Sequence, residues 1–210
     1  MDIASEDNVK VAAKHLSKAD SVLAKVIATS PLCTIRPHKD YYRELVQSII
    51  GQQLSLKVAA SIEARFVALF EGKFPAPEQI LTKDVDQLRS VGFSRGKAAY
   101  VLDLAQHVVD GRLKFDHLDD LSNEQVIKEL VAVKGIGEWT AHMFLMFCMG
   151  RLDVLPVGDL GIKNGIMKLY GLDHVPTPEE ITQLASNNTW HPYESVAAWY
   201  IWQSLDNASS

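Results

Sequence analysis

Apolar positions recur at helical spacing along nearly the whole chain, and no strand-like alternation persists. Residues 8–29 read as one long helix, stopped by Ser30-Pro31. A second begins near Asp40, where Leu45 and Ile49 stand one turn apart with Val46 and Ile50 alongside, and ends around Gly51. Ala59, Ile62, Phe66 and Phe70 mark the next, and Pro75, Pro77 and Gly92 bound a short helical element over 85–89. Ser94 caps a helix through Val109, with Gly111 as its stop. Ser122 and Gln125 form a capping box that opens a further helix. After Gly135-Ile136-Gly137 comes a helix over 138–148 that is apolar almost all round, which predicts a central element with Phe144 and Phe147 in the core. Helices over 161–170, 178–186 and 192–205 complete the pattern. It predicts an all-α protein of about ten helices in two lobes with a cleft between them.

A chain of 210 residues can bury a sizeable core. The expectation is one domain over 1–210, with one lobe from roughly 40–155 and the other from the N- and C-terminal helices. No apolar run is long enough to span a membrane and no signal pattern opens the chain. An intracellular protein follows, in a bacterial cytoplasm or a eukaryotic nucleus. Cys33 and Cys148 lie far apart, which excludes a cysteine-only iron–sulfur site and predicts two packed thiols. The net charge of −5 counts against a nucleic-acid partner, because most sequence-nonspecific binders gain affinity by releasing phosphate counterions. Arg89, Arg95 and Lys97, however, stand together without an acid, so a basic face on an acidic chain is expected.

Two segments carry chemistry. In Leu130-Val131-Ala132-Val133-Lys134-Gly135-Ile136-Gly137-Glu138-Trp139-Thr140-Ala141, a tight Gly-x-Gly turn points backbone N–H groups outward beside a helix N-terminus, a geometry that holds phosphate. Downstream, Leu155-Pro156-Val157-Gly158-Asp159 sets one carboxylate at the mouth of the following helix. An aspartate there is most often an N-cap, but capping and catalysis are compatible. The helix dipole keeps such a carboxylate ionised and oriented, which suits it to stabilise a cation. Lys163, one turn on, pairs with Asp159 in the simplest reading. Ser48-Ile49-Ile50-Gly51-Gln52-Gln53-Leu54-Ser55 places two adjacent amides at a helix junction without a propensity reason. His142, one turn from Glu138, reads as a hydrogen-bonded histidine, and no His/Cys/Asp/Glu cluster has transition-metal spacing.

These segments together, over residues 32–202, resemble the helix-hairpin-helix DNA glycosylases, and within them the alkyl-purine (3-methyladenine) branch. The resemblance implies a monofunctional DNA glycosylase of base excision repair, a monomer acting on double-stranded DNA that carries damaged purines of the 3-methyladenine or 7-methylguanine type. Asp159 would be its catalytic carboxylate. Trp139 stands where bifunctional relatives carry a Schiff-base lysine, hence the monofunctional assignment. Trp202 matches the family's base-stacking tryptophan and, with Trp139 and Met143, makes the expected base pocket, whose indoles attract cationic bases. Gln53 is the expected wedge into the gap left by the flipped nucleotide, with Gln52 its neighbour and Leu54 the apolar alternative. Ser94, Lys97, Lys134, Gly135, Gly137 and the Thr140 hydroxyl are expected on the DNA backbone. No cofactor is required, and the carbonyls of Val131, Val133 and Ile136 are expected to hold a sodium or potassium ion. Glu194 stands where the family usually has arginine, a departure that loses an ion pair or weakens contact with DNA. The alternative is a catalytically weak or inactive protein of the same fold that binds abasic or distorted DNA.

Overall fold

The computed structural model describes residues 3–206. The opening apolar stretch is not one helix. It breaks into α1 (Glu6–Ala19) and α2 (Ser21–Thr29), because Asp20 leaves helical geometry to cap α2 through Val22 N and Leu23 N. Then follow α3 (Tyr41–Gly51), α4 (Leu56–Ala68), a single turn α5 (Pro77–Ile80), α6 (Val85–Ser90) and α7 (Arg95–Val109). Helix α8 (Asn123–Val131) opens with the expected Ser122–Gln125 capping box, and α9 (Glu138–Met143) follows the glycine turn. The α-helix expected through Cys148 stops at Met143, and Phe144–Cys148 forms a π-helical turn. The last three are α10 (Leu160–Tyr170), α11 (Pro178–Asn187) and α12 (Glu194–Asp206). Among the described residues the only β pairing is an isolated antiparallel bridge between Ile3 and Arg151.

The helices group into two compact units. One is Asp40–Phe144, with α3 to α9; the other joins the segments on either side, with α1, α2 and α10 to α12. In the first, Leu45, Val46, Ile49 and Ile50 of α3 are buried with Ile62 and Phe66 of α4 and Val101, Leu104 and Ala105 of α7. Phe66 stacks on Phe93 at 5.3 Å between ring centroids.

The second unit is centred on a buried acid. Asp20 is 1% exposed, and its carboxylate accepts from two backbone amides, the Tyr170 hydroxyl and the Trp190 indole N–H. Burial, followed by the neighbouring Asp20 carboxylate, pushes the Tyr170 phenol far above its ordinary pKa, so it remains a donor. One side chain thereby ties the α1–α2 junction to the end of α10 and to the chain before α12. Replacing Asp20 by Ala leaves the indole and phenol donors unmatched, and should lower stability in urea unfolding by about 3 kcal/mol. A loss below about 0.5 kcal/mol, the range of an ordinary surface change, would contradict this role.

Candidate active site

Asp159 is the N-cap of α10. Its Oδ1 accepts from Ile162 N at 2.8 Å and from the indole Nε1–H of Trp202 at 2.9 Å. The acid and the tryptophan singled out in the sequence are therefore bonded to each other, and the carboxylate is oriented by two donors. The N–H of Lys163 donates to Asp159 O at 3.0 Å as the first helical backbone bond of α10.

Two glycines make this approach feasible. A Cβ on Gly161 would sit 3.0 Å from Asp159 Oδ1 and from Trp202 Cδ1 and Nε1, and one on Gly165 would lie 2.4 Å from Ile201 Cγ2. Gly161 and Gly165 are one turn apart on the face of α10 that meets α12, so a smooth strip of backbone lets α12 bring Trp202 onto the acid. On the other side, Ser195 is fully buried; its Oγ accepts from Val154 N at 3.0 Å and donates to Arg151 O at 2.7 Å. It pins the segment leading into Asp159 to the start of α12. Phe147, expected in the core, is instead half-buried with its ring 6.1 Å from that of Trp202. The π-helical turn shifts the register of the helix there, and Phe147 joins the tryptophan rather than the interior.

Glu194 takes a place in the first turn of α12 with a side chain only 14% exposed, its Oε1 3.0 Å from His191 Nδ1. It is too enclosed to present an acidic surface to DNA, so its effect falls on local packing. Its Oε2 is buried without a hydrogen-bond partner.

The Asp40–Phe144 unit carries the turns. Gly135 has φ of +83°, and a Cβ there would lie 2.2 Å from the Tyr100 ring, so the turn rests directly on an aromatic face. Gly137 caps α9 with extended geometry and is exposed, as the phosphate-binding reading requires. Trp139 is 52% exposed and Met143 half-buried. Thr140 departs from expectation: it is 6% exposed, turned in by the helical register between the exposed Trp139 and buried Ala141. Its side chain is withdrawn from the surface, away from the DNA backbone contact expected of it. Asp103 accepts from the Lys134 backbone N–H at 2.9 Å and faces its ammonium at 3.6 Å, while the Lys134 side chain stays 77% exposed.

The turn after α3 is similarly tied down. Gln52 is not a free wedge: its Nε2 donates to Gly135 O at 2.8 Å. Gln53 is exposed and left-handed, with φ of +58°, a conformation that costs a non-glycine residue about 1 kcal/mol. Leu54 is 37% exposed. Lys97, expected on phosphate, sends its Nζ to Ile50 O and Gln52 O, both at 2.7 Å, and burial lowers its pKa below the ordinary lysine value. Ser94 caps α7 through Lys97 N and stays exposed. The expected basic face thins accordingly: Arg89 pairs with Asp86 at 3.1 Å, which leaves exposed Arg95 at the mouth of α7.

For a monovalent cation the hairpin offers carbonyl oxygens, a hard donor set. Val133 O accepts from Ile136 N at 3.1 Å and keeps a second lone pair, so the carbonyls of Val131, Val133 and Ile136 fit sodium or potassium chemically. No group of three or more His, Cys, Asp or Glu that could hold a metal ion occurs among the described residues.

Comparison with known proteins identifies the family. Residues 46–190 match the model of the HhH-GPD superfamily of base excision DNA repair proteins. An alkylbase DNA glycosidase-like protein of Schizosaccharomyces pombe is 31% identical over 206 residues, covering 96% of each chain. A crystal structure of a DNA-3-methyladenine glycosidase from Bacillus halodurans superposes with a TM-score of 0.85 at 36% identity, over 100% of this chain and 94% of that one. The S. pombe 3-methyladenine DNA glycosylase in complex with abasic DNA gives 0.76 at 32% identity, over 95% and 98%. By these matches the chain belongs to the HhH-GPD superfamily of base excision DNA repair proteins, in its alkyl-purine (3-methyladenine) DNA glycosylase branch.

Proposed function

We propose that this protein is a monofunctional DNA glycosylase that releases alkylated purines from duplex DNA. The observation that carries the reading is the pair of donors on Asp159 Oδ1, Ile162 N–H and Trp202 Nε1–H, which holds a carboxylate at the mouth of α10. The names of the relatives, which are alkylbase and 3-methyladenine glycosylases, support the substrate class.

The chemistry needs little more than that acid. In a purine alkylated at N3 or N7 the ring is cationic, so the C1′–N bond breaks with its electron pair going to the base, which leaves neutral. Positive charge then appears on the sugar, and Asp159 stabilises it electrostatically. Water adds at C1′ and gives up a proton, leaving an abasic site. Trp202, beside Asp159, offers an electron-rich face to a cationic base, and Trp139 lacks the nucleophilic amine that strand cleavage through a Schiff base requires. On the DNA side, the amides of the Gly135–Gly137 turn and Ser94 at the mouth of α7 take phosphates, and Gln53 fills the gap left by the flipped nucleotide. A sodium or potassium ion on the hairpin carbonyls would add positive charge beside the phosphate. The protein would act intracellularly as a monomer; among the described residues no helix is long and apolar enough to cross a membrane.

The test is base release from methylated duplex DNA, followed by mass spectrometry. Wild type should release 3-methyladenine under single turnover, and Asp159→Asn should lose about 10³-fold in rate while still binding. Binding to abasic duplex without release by wild type would establish the lesion-binding alternative instead. Trp202→Phe, which keeps a ring but removes the N–H on the acid, should cost about tenfold in rate, roughly one hydrogen bond to a charged group. Gly161→Ala should cost at least as much through displacement of the indole, and an unchanged rate in both would sink the positioning of Asp159 by α12.

A further inference from the structure

Helix α7 presents Lys97, Tyr100 and Asp103 at intervals of three residues, a spacing that puts them on one face. Each one is engaged with a loop that the proposed function assigns to DNA. Asp103 binds the backbone N–H of Lys134 and Tyr100 supports Gly135, both in the hairpin turn. Lys97 spends two of its three ammonium donors on Ile50 O and Gln52 O at the end of α3. The two loops are also bonded directly, Gln52 Nε2 to Gly135 O. The segment that grips a phosphate and the segment that carries the wedge are therefore braced against one helix and against each other.

Lys97 holds the critical point of that brace. Gln52 O belongs to the peptide that joins Gln52 to Gln53, and Gln53 sits in the left-handed region at φ +58°. Fixing that oxygen fixes the peptide plane from which Gln53 departs. The carbonyls at the end of α3 also carry the negative end of the helix dipole, which a lysine ammonium complements.

We propose that Lys97 is a positioning residue for nucleotide flipping and not a phosphate contact: it clamps the Gln52–Gln53 peptide so that the Gln53 side chain is presented in its left-handed conformation. The inference rests on the glycosylase reading, within which it assigns how the wedge is set. Its consequences differ from those of a DNA-contacting lysine. A phosphate contact contributes about one unit to the slope of log affinity against log salt, whereas a clamp contributes nothing to it. A clamp matters when a base must be extruded from a duplex and not when the substrate is single-stranded and already unstacked.

The experiment compares wild type with Lys97→Met, which removes the ammonium and keeps the length. Binding to an undamaged duplex is measured over a salt series, and base release is measured on methylated duplex and methylated single strand. The expected result is an unchanged salt slope, a roughly tenfold slower release from duplex, and equal release from single strand. A slope reduced by about one, with release falling alike on both substrates, would overturn the proposal in favour of a phosphate contact. A uniform loss with an unchanged slope would also overturn it, by making Lys97 merely structural. If Lys97→Met does not fold, Lys97→Arg, whose guanidinium can still reach two carbonyls, should keep the wild-type duplex-to-single-strand ratio, and a changed ratio would count against the clamp. A wild type that releases no base from either substrate would refute the glycosylase reading alone, while the salt slope would still decide whether Lys97 meets DNA.

Discussion

Everything in the proposed chemistry depends on a carboxylate whose position is set before substrate arrives. Asp159 has one oxygen engaged by a backbone amide of its own helix and by an indole from another. The first bond follows from being an N-cap; the second requires α12 to run against α10 closely enough for Trp202 to reach. That closeness is bought at Gly161 and Gly165, where side chains are absent. The carboxylate proposed for catalysis is thus placed by tertiary packing between two helices.

The same logic appears in the Asp40–Phe144 unit. Polar groups that their type suggests for solvent or phosphate are committed to internal bonds: Lys97 to two carbonyls, Gln52 to Gly135 O, Asp103 to the Lys134 amide. In the function proposed, directional bonds from backbone amides of the turns would do part of what a broad basic surface does elsewhere, which is how a net charge of −5 is reconciled with DNA binding.

The helical periods, the capping box at Ser122–Gln125 and the caps Ser94 and Asp159 were legible in the sequence because each is decided within one or two turns. Asp159 and Trp202 were singled out through motif spacing and resemblance, although their direct bond was not legible. What escaped is what depends on distant partners. Asp20 reads as an ordinary polar residue inside a helical run until Tyr170 and Trp190 converge on it and the run breaks. Gly161, Gly165 and Ser195 carry no local signal of their role, since a glycine within a helix and a serine beside its start are both ordinary. Lys97 and Thr140 were placed on DNA by the family resemblance; hydrogen bonding turned Lys97 to two carbonyls, and burial took Thr140 from the surface. The π-helical turn at 144–148 likewise has no counterpart in an apolar pattern that suits an α-helix equally well.

The central claim, that Asp159 acts by stabilising positive charge on the sugar, is tested most directly by a charged mimic of that state. Binding is compared between duplexes carrying a cationic pyrrolidine in place of the target deoxyribose and duplexes carrying a neutral abasic analogue. Wild type should prefer the cationic duplex by about 10²-fold, in the range by which transition-state mimics exceed ground-state ligands, and Asp159→Asn should lose most of that preference. Equal binding of the two duplexes by wild type, or a preference that survives the substitution intact, would contradict the account.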